Sequence, residues 1–303
     1  MKAGIENTNQ KAKPFVKWVG GKSQLLDSLK MALPSDFALL DNVTYIEPFA
    51  GGGAMLFWML QQFPNISKAV INDINPDLTS AYQVVRNYPQ KLVELLKYIE
   101  NEYLAFDEAN RKQYFLEKRN RYNQKNLNPV ENTALLIFLN RTCFNGLYRV
   151  NSKGNFNVPF GRYANPRICD EQTIFADSRL LQKVEILTGD FEETLKYAGQ
   201  NSFFYFDPPY KPLNKTSGFK SYAKEDFGDK EQTRLADFCK KIDLLGHSFI
   251  LSNSDVKGHN PDDHFFDEMY RQFNIKRVYA SRMVNSAAGK RGKLTELLIT
   301  NRK

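Results

Sequence analysis

The sequence predicts an α/β chain: one doubly wound, mainly parallel sheet interrupted by a basic, mostly helical insertion. Two observations predict it. Short apolar runs that stop at Asp, Asn, Pro or Gly alternate with helical stretches before about residue 80 and again after about residue 175. Between them, from Arg111 to Arg167, stand 11 basic residues against two acidic ones. That window carries +9 of a net charge of +8, so the rest of the chain sums to −1.

The strand candidates are Tyr45-Ile46 leading to Phe49, Ala69 to Ile74, Val184 to Leu187, Phe203 to Phe206 and Ser248 to Leu251. Each is rich in β-branched or aromatic residues, as strands buried on both faces require. Ile275 to Ala280 and Leu294 to Thr300 close the chain and suit an antiparallel end of the sheet. A helix is predicted from Asn75, a capping residue followed by Pro76, towards Asn87, and another from Asp229 towards Lys241. The divisions that follow are a flexible tail over 1–13, a core over 14–79 and 176–303, and an insertion over 80–175.

Composition excludes several classes. At 42% apolar and 25% charged residues, with no run near the roughly 18 apolar residues of a membrane span, the chain reads as a cytoplasmic globular protein. Cys143, Cys169 and Cys239 are odd in number and form no Cys-x-x-Cys pair, so neither a disulfide framework nor a zinc site is expected. His247, His259 and His264 lack companion ligands, and no metal is expected. Asn, Tyr and Phe interleave with the central charges, a mixture suited to phosphate contact with base stacking and edge reading.

Residues 45–53 read as a strand entering the glycine turn Gly51-Gly52-Gly53, with a helix beginning near Ala54. Glycines there allow positive φ and close approach of a ligand, though a plain tight turn needs them equally. Met55 and Leu56 break the Gly-x-Gly-x-x-Gly spacing, which disfavours a dinucleotide site. Asp73 ends the next strand, where an acid can accept both hydroxyls of a ribose or stand as a helix N-terminal acid. The segment Lys17-Trp18-Val19-Gly20-Gly21-Lys22-Ser23 fails the phosphate-loop pattern, since glycine would be needed at Val16. It offers an aromatic ring and two lysines around a flexible turn.

Asp207-Pro208-Pro209-Tyr210 follows the apolar strand Phe203 to Phe206. The prolines cannot donate to a sheet ladder, so they end the strand and free their carbonyls towards a cleft. An aromatic amine is a poor nucleophile because its lone pair is delocalised into the ring. Accepting its two N–H bonds on the Asp207 carboxylate and the Pro208 carbonyl would aim that lone pair at an electrophile, with Tyr210 stacked on the base. A strand terminator with an exposed tyrosine accounts for the prolines but not for the acid.

Six segments in order resemble the DNA adenine methyltransferase (Dam) family of the α-type motif order: Lys17 to Lys22, Glu47 to Gly53, Asn72-Asp73, Asn140 to Tyr163, Gly189-Asp190-Phe191, and Asp207 to Tyr210. The resemblance implies a class I, Rossmann-like, S-adenosylmethionine-dependent methyltransferase sheet, with 14–79 and 176–303 as the catalytic core and the 80–175 insertion as the DNA target-recognition domain. It implies Trp18, Lys22, Phe49, Gly51, Gly53, Asp73, Asp190, Phe191 and Asp207 as cofactor residues, and Asp207, Pro208 and Tyr210 as catalytic ones. In the major groove of double-stranded DNA, Arg149 would read a guanine, Leu147 and Pro159 would touch a thymine methyl, and Phe144 would fill the space of a flipped base. Lys17 would fix the first guanine, while Arg141, Asn145, Arg162 and Tyr163 would lie against the DNA. The implied site is GATC. Phe144 departs from the Tyr of some relatives and loses only a hydroxyl.

Two other readings use the same residues. Cytosine N4, an RNA base or a protein glutamine could be the amine, and a DNA-binding protein could have kept the fold and lost the chemistry. The basic insertion suits a duplex major groove, and the intact acid, prolines and tyrosine suit an enzyme. Arg282 to Lys293 could close over phosphates or form a hairpin loop.

Overall fold

A computed structural model describes residues 11–18, 20, 25–211, 227–258, 260–281 and 293–302. Lys22, His259 and most of the basic stretch from Arg282 lie outside the described residues. By internal contacts the chain divides into two units: one of Met1–Gly21, Gly51–Gln62 and Asn75–Ile186, the other of Lys22–Ala50, Phe63–Ile74 and Leu187–Lys303.

The seven strands are β1 (Val43–Glu47), β2 (Ile66–Asp73), β3 (Val184–Thr188), β4 (Ser202–Phe206), β5 (Ser248–Ser254), β6 (Asn274–Ser281) and β7 (Lys293–Thr300). They form one mixed sheet in the order β3-β2-β1-β4-β5-β7-β6. Tyr45 pairs in parallel with Ala69 of β2 on one side and with Phe203 of β4 on the other. Phe204 continues the parallel run to Phe249 of β5. β7 then enters antiparallel between β5 and β6, pairing Ile299 with Leu251 and with Ile275. The expected antiparallel end is therefore present, and the final strand lies inside the penultimate one.

The core of this sheet unit follows from its composition. Phe204, Phe206, Phe249, Leu251, Leu297 and Ile299 are buried against Leu235, Phe238, Cys239 and Ile242 of the helix Asp229–Leu244. Phe206 meets Phe238 edge-on, with centroids 6.0 Å apart. Each such ring is worth roughly 1.5–3 kcal/mol of burial, and β4 is buried at every position.

In the other unit, the helix Pro76–Asn87 starts where Asn75 accepts the Asp77 N–H at 3.0 Å, with proline at its first turn. Asp107 caps Glu108–Asn123, and Asn128 caps Pro129–Thr142. The last of these is buried from Thr133 to Asn140 without interruption, so it packs on all sides. Phe138 of that helix receives Tyr103 and Tyr114 edge-on, at 5.5 and 5.7 Å. Among the described residues no helix is long and apolar enough to cross a membrane, and no group of three His, Cys, Asp or Glu could hold a metal ion.

The segment before Trp18 is tied down at several points. Ala12 exchanges two bonds with the Gln61 amide, and the Lys13 N–H donates to Asp177 Oδ1 at 3.1 Å. Asp177 is fully buried, and its Oδ2 has no hydrogen-bond partner. Burial pushes its carboxyl up to about 8. A carboxyl raised on folding contributes stability that is complete below its unfolded value of 3.8 and lost as pH rises through its folded one. Asp177→Asn keeps an acceptor for Lys13 and removes the buried charge. It is expected to melt above the wild type at pH 8 and higher, with the gap closing towards pH 4. A gap of constant size across that range, measured by thermal melting, would count against this reading.

Candidate active site and nucleic-acid interface

The sheet unit gathers acids at one edge. β2, β1 and β4 are neighbours and parallel, so Asp73, Glu47 and Asp207 stand at the carboxyl ends of three adjacent strands. This is where open α/β sheets take ligands. Asn72 organises the edge: its Nδ2 donates to the carbonyls of Pro48 (3.1 Å) and Gly189 (2.9 Å), and its carbonyl accepts the Ala50 N–H at 2.9 Å. The loops after β1 and β3 are thereby pinned to β2. Glu47 is buried and accepts the Tyr45 hydroxyl at 2.8 Å.

Asp207-Pro208-Pro209-Tyr210 is held at each of three points by a side chain remote in sequence. Ser252 Oγ donates to Asp207 Oδ1 at 3.1 Å and also lies 3.2 Å from the Phe206 carbonyl and the Tyr205 hydroxyl. Gln232 Nε2 donates to the Pro209 carbonyl at 3.1 Å, and Gln232 is itself oriented by Asn253 at 3.0 Å. The Tyr210 hydroxyl donates to Glu296 Oε2 at 2.7 Å. Burial first, then the Asp207 and Glu296 carboxylates, keep that phenol protonated far above its usual range. The Pro209 carbonyl is thus engaged by the protein itself, while Pro208 is buried.

Asp190 and Phe191 are less simple than their motif suggests. Asp190 caps a short 3₁₀ helix, Phe191–Tyr197, through the Glu192 N–H and pairs with Arg234. Arg234 also binds Glu192 and Glu231 and lies 4.3 Å from the Phe191 ring centroid. Those carboxylates raise the Arg234 guanidinium further, against the effect of burial. Phe191 is buried beside Phe49, 5.3 Å away, and Phe238, 5.5 Å away. Phe49 is partly buried on the same cluster.

In the other unit the glycine turn has the backbone that glycine permits. Gly51 and Gly53 have φ of 48° and 75°. A Cβ at Gly53 would stand 2.4 Å from the Tyr82 hydroxyl oxygen, and that hydroxyl donates to the Gly51 carbonyl at 2.9 Å. Trp18 covers the turn: Cβ atoms at Gly51 and Gly52 would each come within 3.0 Å of it.

The same unit arranges the residues expected to meet DNA. Phe144 is 53% exposed, and its N–H closes the base of the loop on the Pro159 carbonyl at 2.8 Å. Asn145 takes φ of 56°, and its N–H donates to the Tyr163 hydroxyl at 3.0 Å. Leu147 is half-buried. Arg149 donates from Nε to Asn157 Oδ1 at 2.7 Å and from Nη2 to the Asn157 carbonyl at 3.1 Å. Arg162 is exposed, 3.8 Å from Glu108. Arg141 is turned inward: it donates to the Phe15 carbonyl at 2.8 Å, and burial lowers its guanidinium below the usual range. Lys17 is exposed, with its Nζ 5.6 Å from the Tyr163 ring centroid.

Sequence reading missed Ser252, Gln232, Asn253 and Glu296 around the acidic motif, and gave no role of their own to Asn157 and Asn140 within the basic loop segment. Asn140 is fully buried and bonds both the N–H and the carbonyl of Lys17, at 2.7 and 2.9 Å. Its place at the end of an unbroken apolar helix was the available signal, because a polar side chain buried there must find partners.

Comparison with known proteins gives concordant results. The chain is 50% identical over 293 residues to a type II methyltransferase, M.MjaIII, of Methanocaldococcus jannaschii, covering 95% of this chain and 99% of that one. It is 40% identical to the type II methyltransferase M1.LlaDCHI of Lactococcus lactis, over 95% of each chain. It is 36% identical to a DNA adenine methylase of Haemophilus influenzae, over 95% of this chain and 93% of that one. Residues 18–284 match the family described as D12 class N6 adenine-specific DNA methyltransferase, and the chain belongs to that family.

Proposed function

We propose that this adenine-specific DNA methyltransferase uses S-adenosylmethionine to modify adenine N6 in duplex DNA, within GATC, after rotating the base out of the stack. The single observation that carries the chemistry is Asp207-Pro208-Pro209-Tyr210 at the end of β4, with Asp207, Pro209 and Tyr210 each fixed by a separate side chain. A methyl donor with ribose hydroxyls and an ammonium group suits the acids at the ends of β1, β2 and β4, and Asn72 Oδ1, buried without a hydrogen-bond partner, adds an acceptor nearby. In the sheet unit Phe49, Asp73, Asp190, Phe191 and Asp207 are assigned to it. Trp18, Gly51 and Gly53 are assigned from the other unit by their motifs, as is Lys22, outside the described residues.

When bound, S-adenosylmethionine supplies an electrophilic methyl group. Asp207 and the Pro208 carbonyl accept the two N–H bonds of the amine, which turns its lone pair out of conjugation and fixes its direction. Tyr210 lies against the base, held by Glu296. Base rotation costs a few kcal/mol and is compensated by this stacking and by Phe144 in the vacated space. The 80–175 insertion is assigned to target recognition: Arg149 to a guanine, Leu147 and Pro159 to a thymine methyl, and Asn145, Arg162 and Tyr163 to the surrounding duplex, with Lys17 before it assigned to the first guanine; Arg141, turned inward onto the Phe15 carbonyl, is left out of the contact set.

Labelled S-adenosylmethionine incubated with the protein and genomic DNA, followed by nucleoside analysis and mapping of modified positions, tests this. N6-methyladenine at GATC is the expected result. N6-methyladenine elsewhere would overturn the site alone, and label in cytosine N4 or RNA would overturn the assignment of the amine.

A further inference from the structure

The loop that carries Leu147 and Arg149 also carries Tyr148, a residue assigned to neither ligand. Its ring stacks on Trp18 with centroids 4.9 Å apart and planes inclined by 25°. Trp18 in turn lies on Gly51 and Gly52, close enough that a single added carbon at either glycine would touch it. The two stacked residues are sequence neighbours of expected base readers, Lys17 beside Trp18, and Leu147 and Arg149 beside Tyr148.

The contact is rigidly mounted on both sides. Asn140 holds the Lys17 backbone through two bonds and also donates to the Gly146 carbonyl at 2.8 Å, so one buried side chain ties the Lys17-Trp18 segment to the Tyr148 loop. Gly146 has φ of 64°, and a Cβ there would stand 2.4 Å from Lys17 Cδ, so the Lys17 side chain packs directly on the Gly146 backbone. On the far side of the ring, the Tyr148 hydroxyl lies 3.4 Å from Asp77 Oδ2, a carboxylate also bound by Tyr122 and Lys125. A displacement of the loop on engaging bases therefore has a packed route to the glycine turn.

We propose that Tyr148 is a positioning residue that couples sequence recognition to cofactor affinity: seating of the loop on its target holds Tyr148 in its stack on Trp18, and so holds Trp18 on the turn at Gly51. The inference rests on the reading of Trp18 and the glycine turn as part of the cofactor site and of the Arg149 loop as the base reader. Coupling of this kind is reciprocal, so it is measurable as a change in cofactor affinity caused by DNA. A stacked pair contributes enough to alter that affinity by roughly two- to tenfold.

The test is calorimetric titration of S-adenosylhomocysteine into the full chain, alone, with a duplex carrying the mapped target, and with the same duplex scrambled at the target. The wild type is expected to bind more tightly, within that range, only with the target duplex. Tyr148→Met fills the volume without an aromatic face and is expected to abolish the difference, whereas Tyr148→Phe keeps it. A Tyr148→Met protein that melts lower yet retains the wild-type difference would overturn the coupling role, as would a wild type indifferent to the target duplex. Trp18→Ala that binds S-adenosylhomocysteine as tightly as the wild type would instead overturn the underlying cofactor reading.

Discussion

Asp207→Ala is expected to lower single-turnover methyl transfer by about 10³-fold or more while melting within a few degrees of the wild type. Removing one oriented group that acts on the reacting centre costs roughly 10²–10³ in rate in other enzymes. Here the loss includes both an acceptor and the direction it imposes on the amine. The site gives graded controls. Asp207→Asn retains an oxygen that Ser252 can bind, but half of the group becomes a donor and repels an amine N–H, so an intermediate rate is expected. Ser252→Ala leaves the carboxylate in place without its 3.1 Å bond, and about a tenfold loss follows from one bond to a charged group. Single-turnover transfer to duplex DNA under saturating cofactor measures all three. An Asp207→Ala rate within tenfold of the wild type would remove Asp207 from the chemistry.

The position of β4 was readable because burial on both faces leaves no alternation to misread. Phe203 to Phe206 is apolar at each step, and the structure buries all of it. The capped helices were readable for a local reason as well: Asn75 followed by Pro76 is sufficient to start one. The order of the last strands was not readable. Nothing in Ile275 to Ala280 or Leu294 to Thr300 says which of the two pairs with β5, since a hairpin presents two similar edges and the choice is made by packing. The unbroken burial of Thr133 to Asn140 likewise reflects its position inside the helical unit rather than any period of its own.

The acids and prolines of the site announced themselves through local pattern, whereas the residues that fix them did not. Ser252 reaches Asp207 across 45 positions, Glu296 reaches Tyr210 across 86, and Asn140 reaches Lys17 across 123. Each is an ordinary polar residue in an apolar strand or helix, so its partner becomes visible only when the sheet or the helical unit is assembled. Asp190 shows the converse. Its motif was legible, yet its engagement with Arg234 and with the Glu192 N–H was not, so its carboxylate reaches any ligand already oriented by the protein.

Arg149→Ala has the second large expected effect, and it concerns choice of site rather than rate at a committed base. A guanidinium has five N–H bonds. Arg149 spends one from Nε and one from Nη2 on Asn157, which sets the plane of the group and still permits bidentate donation to guanine O6 and N7. Losing such a pair costs about 1–3 kcal/mol of discrimination, or roughly 5- to 150-fold in the ratio of rates on a target and on its variant changed at that guanine. Arg149→Lys should recover little of it, because a single ammonium cannot supply a planar pair. Asn157→Ala leaves the guanidinium present but unaligned and should fall between. Comparing kcat/KM on the mapped target with duplexes altered at one base pair at a time separates a base reader from a phosphate contact. The former relaxes specificity at one position, whereas the latter weakens every duplex alike and flattens the dependence on salt. A uniform loss for Arg149→Ala would move Arg149 to the backbone and leave the guanine of the site without its reader.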